Sequence, residues 1–201
     1  YHPTAWIQMG YEILYLWLMR MILTSAYALG EVPFKDAYIH GMLRDKDGNK
    51  FSKSSGNGVD PIEVIGQYGC DALRMSLLIG TSPGNDSRYS LEKIEGGRNF
   101  VNKLWNISRF ILMQIEDAEG EQDLRPDRST EQNQGASIAP LPVTLADRWI
   151  LSRLAEVTQS VTHKLELYEF SSAGEELRDF TWGDLADWYL EIAKTQDRVA
   201  T

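Results

Sequence analysis

Apolar and polar positions divide the chain into runs of different period. Between Gly10 and Gly30, "GYEILYLWLMRMILTSAYALG" is apolar on nearly every face. That pattern predicts a helix buried on most sides. Glu12 and Arg20 interrupt the run, and the purely apolar stretch they leave is too short for a bilayer span. "DAYIHGMLRD" (36–45) predicts a strand with a break at Gly41. "DKDGN" follows as a turn, because Asp-Gly tolerates positive φ. "DPIEVIGQYG" predicts a short helix: Asp60 caps it, Pro61 suits the first helical position, and Glu63 completes a capping box. "DALRMSLLIG" predicts a second helix and "TSPGNDSRYS" a loop. From Ser90 onward, Leu91, Ile94, Val101, Leu104, Ile107 and Ile111 recur at helical spacing, weakened at Gly96 and Gly97. Residues 116–143 are acidic and polar, with Gly and Pro, and predict an exposed, mobile connector. Two further helices follow, the first capped by Thr144. No segment repeats.

Composition adds bounds. At 201 residues and 43% apolar content, the chain can build a real core as one large domain or two small ones. A net charge of -9 argues against gripping nucleic acid by charge alone, though it permits a local basic patch. Cys70 is the single cysteine, so no internal disulfide exists, which suits a reducing, cytoplasmic setting. No signal-peptide pattern is present, and the chain opens on Tyr1 rather than Met, as expected of a piece of something longer.

Candidate chemistry concentrates in "KFSKSSGNGVDP" (50–61). Lys50 and Lys53 supply compact positive charge, and Ser52, Ser54 and Ser55 supply hydroxyl donors. Gly56 and Gly58 allow close backbone approach and hinge motion. Such a set can stabilise charge on phosphate oxygens. The Walker A spacing is absent. Composition alone favours a solvated polar turn. Ile13 and Trp17, four apart, share a helix face and read on their own as core residues. His40 in a strand reads as a hydrogen-bonded structural residue. Lys93, Arg98, Lys103 and Arg109 form no clean stripe, and a solvated face explains them as well as phosphate contact does. Trp182, Trp188 and Tyr189 read as core of a helical domain, and Asp184 and Asp187 as solvated surface.

"KFSKS" resembles the KMSKS signature of class I aminoacyl-tRNA synthetases, with Phe51 in the place of Met. The neighbours agree: "YIHGMLRDKDGN", "YGCDALR", "NDSRYS", "GGRNFVNKLWNISRFIL", "LADRWILSRL" and "DFTWGDLADWYLEIAK". The resemblance covers nearly the whole chain except the connector. It is closest to the valyl branch of the valine/isoleucine/leucine subgroup. It implies a mostly α fold with a small β component. Residues 1–60 would end a Rossmann-type catalytic domain, and 61–115 would be stem-contact helices. Residues 116–143 would link these to the first helices of an anticodon-binding bundle at 144–201.

The same resemblance implies roles. Lys50 and Lys53 would stabilise the transition state as the amino-acid carboxylate attacks the α-phosphate of ATP and pyrophosphate leaves. Gly10, Glu12, His40, Ser52, Lys53 and Ser54 would bind ATP, with Gly10 close to adenosine and Glu12 accepting from the ribose. Ile13 and Trp17 would wall the amino-acid pocket. Lys93, Arg98 and Lys103 would touch tRNA. The implied substrates are ATP with Mg²⁺, valine and tRNA(Val). No tightly bound cofactor, protein-held metal or membrane is expected, and the full-length form would be monomeric. Isoleucyl or leucyl specificity, or a tRNA-binding module without chemistry, are the alternatives. The family's second signature, HIGH, has no counterpart here, so the isolated chain is expected to be inactive.

Overall fold

The computed structural model describes residues 2–52, 54–123 and 144–195, without the side chains of 115–123. The described chain is mostly helical with few strands. It divides into two compact units, Tyr1–Arg98 with Lys164–Gly174, and Asn99–His163 with Glu175–Thr201.

The first unit opens with β1 (Thr4–Gly10), a 3₁₀ turn (Tyr11–Ile13), a π-helical stretch (Leu14–Leu18) and α1 (Met19–Leu29). Gly30 ends α1 in the left-handed region, at φ 78°, and its N–H returns to Ala26 O. The chain then forms β2 (Phe34–His40), parallel to β1, with Trp6 opposite Asp36 and Gly10 opposite His40. A parallel pair needs such a helical crossover. The run from Gly10 to Gly30 is helical as expected, but it is not buried: among its helical residues only Ser25 is, and Tyr27 is 96% exposed. The neighbouring sheet has two strands, too narrow a layer to cover an apolar helix on several sides. By length and composition, Tyr11–Leu29 is also apolar enough to cross a membrane, contrary to the expectation that the charges shorten it too far. Its first turn is nonetheless tied to polar partners: Tyr11 Oη donates to Asp86, and Glu12 pairs with Lys50.

β2 ends where Gly41 interrupts it, as the sequence predicts. A Cβ at Gly41 would lie 1.8 Å from Asn85 O, so backbone meets backbone there. β3 (Leu43–Arg44) follows and pairs with β4 (Ser87–Arg88), a short strand inside the stretch expected as pure loop. α2 (Pro61–Tyr68) starts at Asp60, whose carboxylate accepts from Ile62 N at 2.8 Å. α3 (Cys70–Leu78) and the start of α4 (Leu91–Asp123) complete this unit's helical core. There Val64, Ala72 and Ile94 are buried together under Tyr68, Leu73 and Tyr89. Gly96 and Gly97 do not break α4. Gly97 brings α4 against α3, where a Cβ would sit 2.8 Å from Ala72 O. α4 also runs through 116–123, the first part of the expected connector. Of that connector, 124–143 lie outside the described residues.

In the second unit, α5 (Leu145–Glu166) begins with a reciprocal cap. Asp147 N donates to Thr144 Oγ1 at 3.1 Å, and Thr144 N donates to Asp147 Oδ2 at 2.9 Å. Ile150, Val157 and Val161 are its buried stripe. α6 (Phe170–Asp179) leads into a ten-residue π-helical stretch (Phe180–Tyr189) and then α7 (Leu190–Thr195). Ile107, Ala186 and Leu190 form this unit's core, with Phe110, Leu185 and Tyr189 packed against them.

The wider π winding corrects two expectations. Residues five apart are ladder partners in such a helix, whereas in an α-helix they point about 140° apart. Trp182 and Asp187 are five apart and meet the same cation. Lys103 Nζ lies 4.3 Å from the Trp182 ring centroid and 2.8 Å from Asp187 Oδ1. Asp184 likewise takes Arg153 Nε at 3.1 Å. Neither acid is merely solvated. Of the expected core aromatics, Tyr189 is packed and bonds Asp147 at 3.0 Å, whereas Trp188 is 65% exposed.

Candidate functional site

Three segments of the first unit carry the residues expected at the site. The strand ends come first. Gly10 and His40 are register partners, and a Cβ on Gly10 would meet Met42 Sδ at 3.0 Å and the His40 ring at 3.4 Å. His40 Nδ1 lies 2.6 Å from Gly41 O, within hydrogen-bonding reach. The imidazole edges a cavity of about 600 Å³, lined also by Trp6, Tyr38, Met42, Leu77 and Phe170.

Glu12 comes next, in the 3₁₀ turn directly after β1. Its Oε2 accepts from Lys50 Nζ at 2.6 Å, across 38 residues of sequence. The expected ribose acceptor and the first lysine of the signature are thus partners in this structure. Both are partly exposed, so the pair is exchangeable for a ligand at small cost.

The loop itself is third. Ser52 and Ser54 hydroxyls are 2.6 Å apart, and Ser55 N donates to Ser52 O at 3.2 Å. Phe51 meets Tyr89 edge-on, with centroids 6.4 Å apart, and Tyr89 packs on the buried Val64–Ala72–Ile94 cluster. The aromatic side chain in the signature's second position therefore ties the loop to the core. Lys53 lies outside the described residues.

Asp86 ties the turn after β1 to Met42 and Arg44, and the sequence did not single it out. Its carboxylate accepts from Met42 N at 2.8 Å, from Tyr11 Oη at 3.0 Å and from Arg44 Nε. Met42's N–H, then Arg44, hold its carboxyl below the usual carboxylate range. The same carboxylate, then Tyr11, raises the Arg44 guanidinium further. The stretch "NDSRYS" was legible as a motif, but its partner 75 residues away was not.

The remaining expected positions lie on neighbouring elements. Ile13 closes the 3₁₀ turn and Trp17 lies in the π stretch, 45% and 55% exposed. The α spacing that would put them on one face does not exist between them. Lys93 is exposed beside Gly80, while Arg98 lies over Tyr68, 5.5 Å from its centroid, and near Glu95. Lys103, in the second unit, is engaged by Trp182 and Asp187. Among the described residues, no group of three or more His, Cys, Asp or Glu could hold a metal ion.

Residues 1–90 match the model of tRNA synthetases class I (I, L, M and V), and 147–200 match the anticodon-binding domain of tRNA ligase. Over residues 1–90 the chain is thus similar to class I tRNA synthetases. It is similar to the valine–tRNA ligase of Bacillus cereus, 46% identical over 96% of the chain. The valine–tRNA ligases of Clostridium acetobutylicum and Listeria innocua are 44% and 47% identical over the same share. In each case the chain spans about a fifth of the relative's length, 20%. Solved class I synthetases share the fold. The methionyl-tRNA synthetase of Mycobacterium tuberculosis in complex with methionyl-adenylate matches with a TM-score of 0.67 and 26% identity, over 96% of this chain and 35% of that one. The LeuRS of Agrobacterium radiobacter K84, in a ternary complex with tRNA and LeuAMS, gives 0.70 at 21% identity, over 90% of this chain and 22% of that one.

Proposed function

We propose that this chain is the segment of a valine–tRNA ligase that carries the nucleotide-handling loop and the first helices that meet tRNA. The enzyme joins valine to ATP, releases pyrophosphate and passes the valyl group to tRNA(Val). The observation that carries this reading is the KMSKS-type loop whose Lys50 pairs with Glu12, in a chain 44–47% identical to valine–tRNA ligases over nearly its full length.

In this reading the substrate is ATP with Mg²⁺. Glu12 exchanges Lys50 for the ribose hydroxyls, and Lys50, freed, turns with Lys53 to the phosphates. Ser52 and Ser54 add hydroxyl donors. Lysine charge aimed at developing phosphate charge lowers the barrier without covalent chemistry. The carboxylate of valine attacks the α-phosphorus, and the bond to the pyrophosphate oxygen breaks. Gly10 and His40 border the nucleotide, and Ile13 and Trp17 contribute to the aliphatic pocket. Residues 1–60 close a Rossmann-type domain, 61–115 contact the tRNA stem, and 144–201 open an anticodon-binding bundle after a linker at 116–143. Lys93, Arg98 and Lys103 serve tRNA, Lys103 by releasing Asp187. The complete enzyme is a cytoplasmic monomer.

The test is ATP–pyrophosphate exchange by the full-length protein with valine, isoleucine and leucine in parallel. Exchange led by valine is expected. A lead for isoleucine or leucine overturns the specificity, and no exchange with any of the three overturns the reaction.

A further inference from the structure

Past Ser55, the exit arm of the KFSKS loop is tied to the entering arm through the Asn57 side chain. Asn57 lies between Gly56 and Gly58, and a Cβ on either glycine would meet nothing within 4 Å. Gly56 adopts φ 64°, in the left-handed region. Residues 54–56 and 58–60 are exposed, whereas Asn57 is half-buried. Its amide uses both ends. Nδ2 donates to Asp45 Oδ2 at 2.9 Å and to Lys50 O at 3.2 Å, and Oδ1 accepts from Ser52 N at 3.0 Å. One side chain on the exit arm thereby grips the entering arm on either side of Phe51.

Asp45 anchors the grip. Its other oxygen accepts from Asn49 N at 2.7 Å and Asp47 N at 3.0 Å, closing the "DKDGN" turn, in which Gly48 takes φ 89°. Asn57 foremost, then Asn49, holds the Asp45 carboxyl below its ordinary range. A carboxylate acceptor makes the Asn57 bond charge-assisted, the stronger class of hydrogen bond. The turn, the entering arm and the exit arm are thus fastened at one point. The same geometry sets the main chain from which Lys50 reaches Glu12.

We infer that Asn57, held by Asp45, is a positioning residue for the activation step: it fixes the main chain at Lys50 and Ser52 and so aims the loop's charged and hydroxyl groups. This rests on the functional reading above, in which those groups meet ATP. Small displacements of positioned groups cost up to about 10²-fold in rate.

Two measurements on the full-length protein test it. Hydrogen exchange at the Ser52 amide reads the latch and needs no turnover. Valine-dependent ATP–pyrophosphate exchange reads its service to the reaction. Asn57→Ala should speed Ser52 exchange and lower kcat roughly ten- to a hundredfold, with KM for valine and transfer from preformed valyl-adenylate unchanged. Asn57→Asp should be worse, because two carboxylates would then face each other. The double exchange Asp45→Asn/Asn57→Asp should recover activity over Asn57→Asp alone, since one donor–acceptor pair is rebuilt. An unchanged Ser52 amide in Asn57→Ala overturns the latch whatever the activity. A faster Ser52 amide with unchanged kcat overturns the positioning role. If the unmodified protein activates none of the three amino acids, the functional reading fails, and the Ser52 amide still decides the latch.

Discussion

Asp86 shows how much a single carboxylate organises here. Met42 N, Tyr11 Oη and Arg44 Nε reach it from two segments, neither of which adjoins it in sequence. Its folded pKa is depressed. The sign follows: a depressed carboxyl stabilises the fold above its unfolded pKa of about 3.9 and loses that contribution as pH falls through the folded value. The Met42 amide resonance should therefore titrate with a midpoint below about 3.9. A midpoint at or above that value would contradict the arrangement. Asp86→Ala should lower the melting temperature, because Met42 N and Arg44 lose their acceptor. At this scale, a contiguous motif and its neighbours name Lys50, Lys53, Glu12, His40 and the serines as candidates from sequence. Asp86 and Asn57 were not, since their meaning lies in partners set by folding. The Lys50–Glu12 pair, 38 residues apart, was invisible for the same reason.

Elements tell a similar story through two adjacent glycines. Both looked like weaknesses in a helical pattern, yet α4 passes through them unbroken. Gly97 is buried against Ala72 O, whereas Gly96 is exposed with open space where a Cβ would go. Gly97→Ala should cost about 1–3 kcal/mol through overpacking, outweighing a propensity gain of up to about 1 kcal/mol. Gly96→Ala should keep that gain and stabilise. Denaturant midpoints of the two variants check the opposite signs. The caps at Asp60 and Thr144 were legible because capping is local chemistry. Helix winding was not: the 3.6 period that relates Ile13 to Trp17 gives way to 3₁₀ and π geometry, which no local pattern announces. β4 escaped for a different reason. Two residues are too few to show a period, and their pairing with β3 is a tertiary fact.

At the scale of the whole molecule, the acidic balance of -9 and the exposed apolar surface of Tyr11–Leu29 mark a chain whose work does not rest on bulk charge or on a finished core. The coarse class, mostly helical with few strands, was readable from periodicity. The family came from motif order, which periodicity cannot supply. Burial of the first helix was misjudged because hydropathy says that a face is apolar, not what covers it. On the proposed function, the isolated chain, which spans about a fifth of the relatives it matches, should give no sustained valine-dependent pyrophosphate exchange. Sustained exchange by the isolated chain would refute that expectation. The most direct test of the central claim is valine-dependent ATP–pyrophosphate exchange by the full-length protein with Lys53→Ala beside the unmodified form. Exchange should collapse in the variant with valine binding retained; equal rates in the two would contradict the role of Lys53.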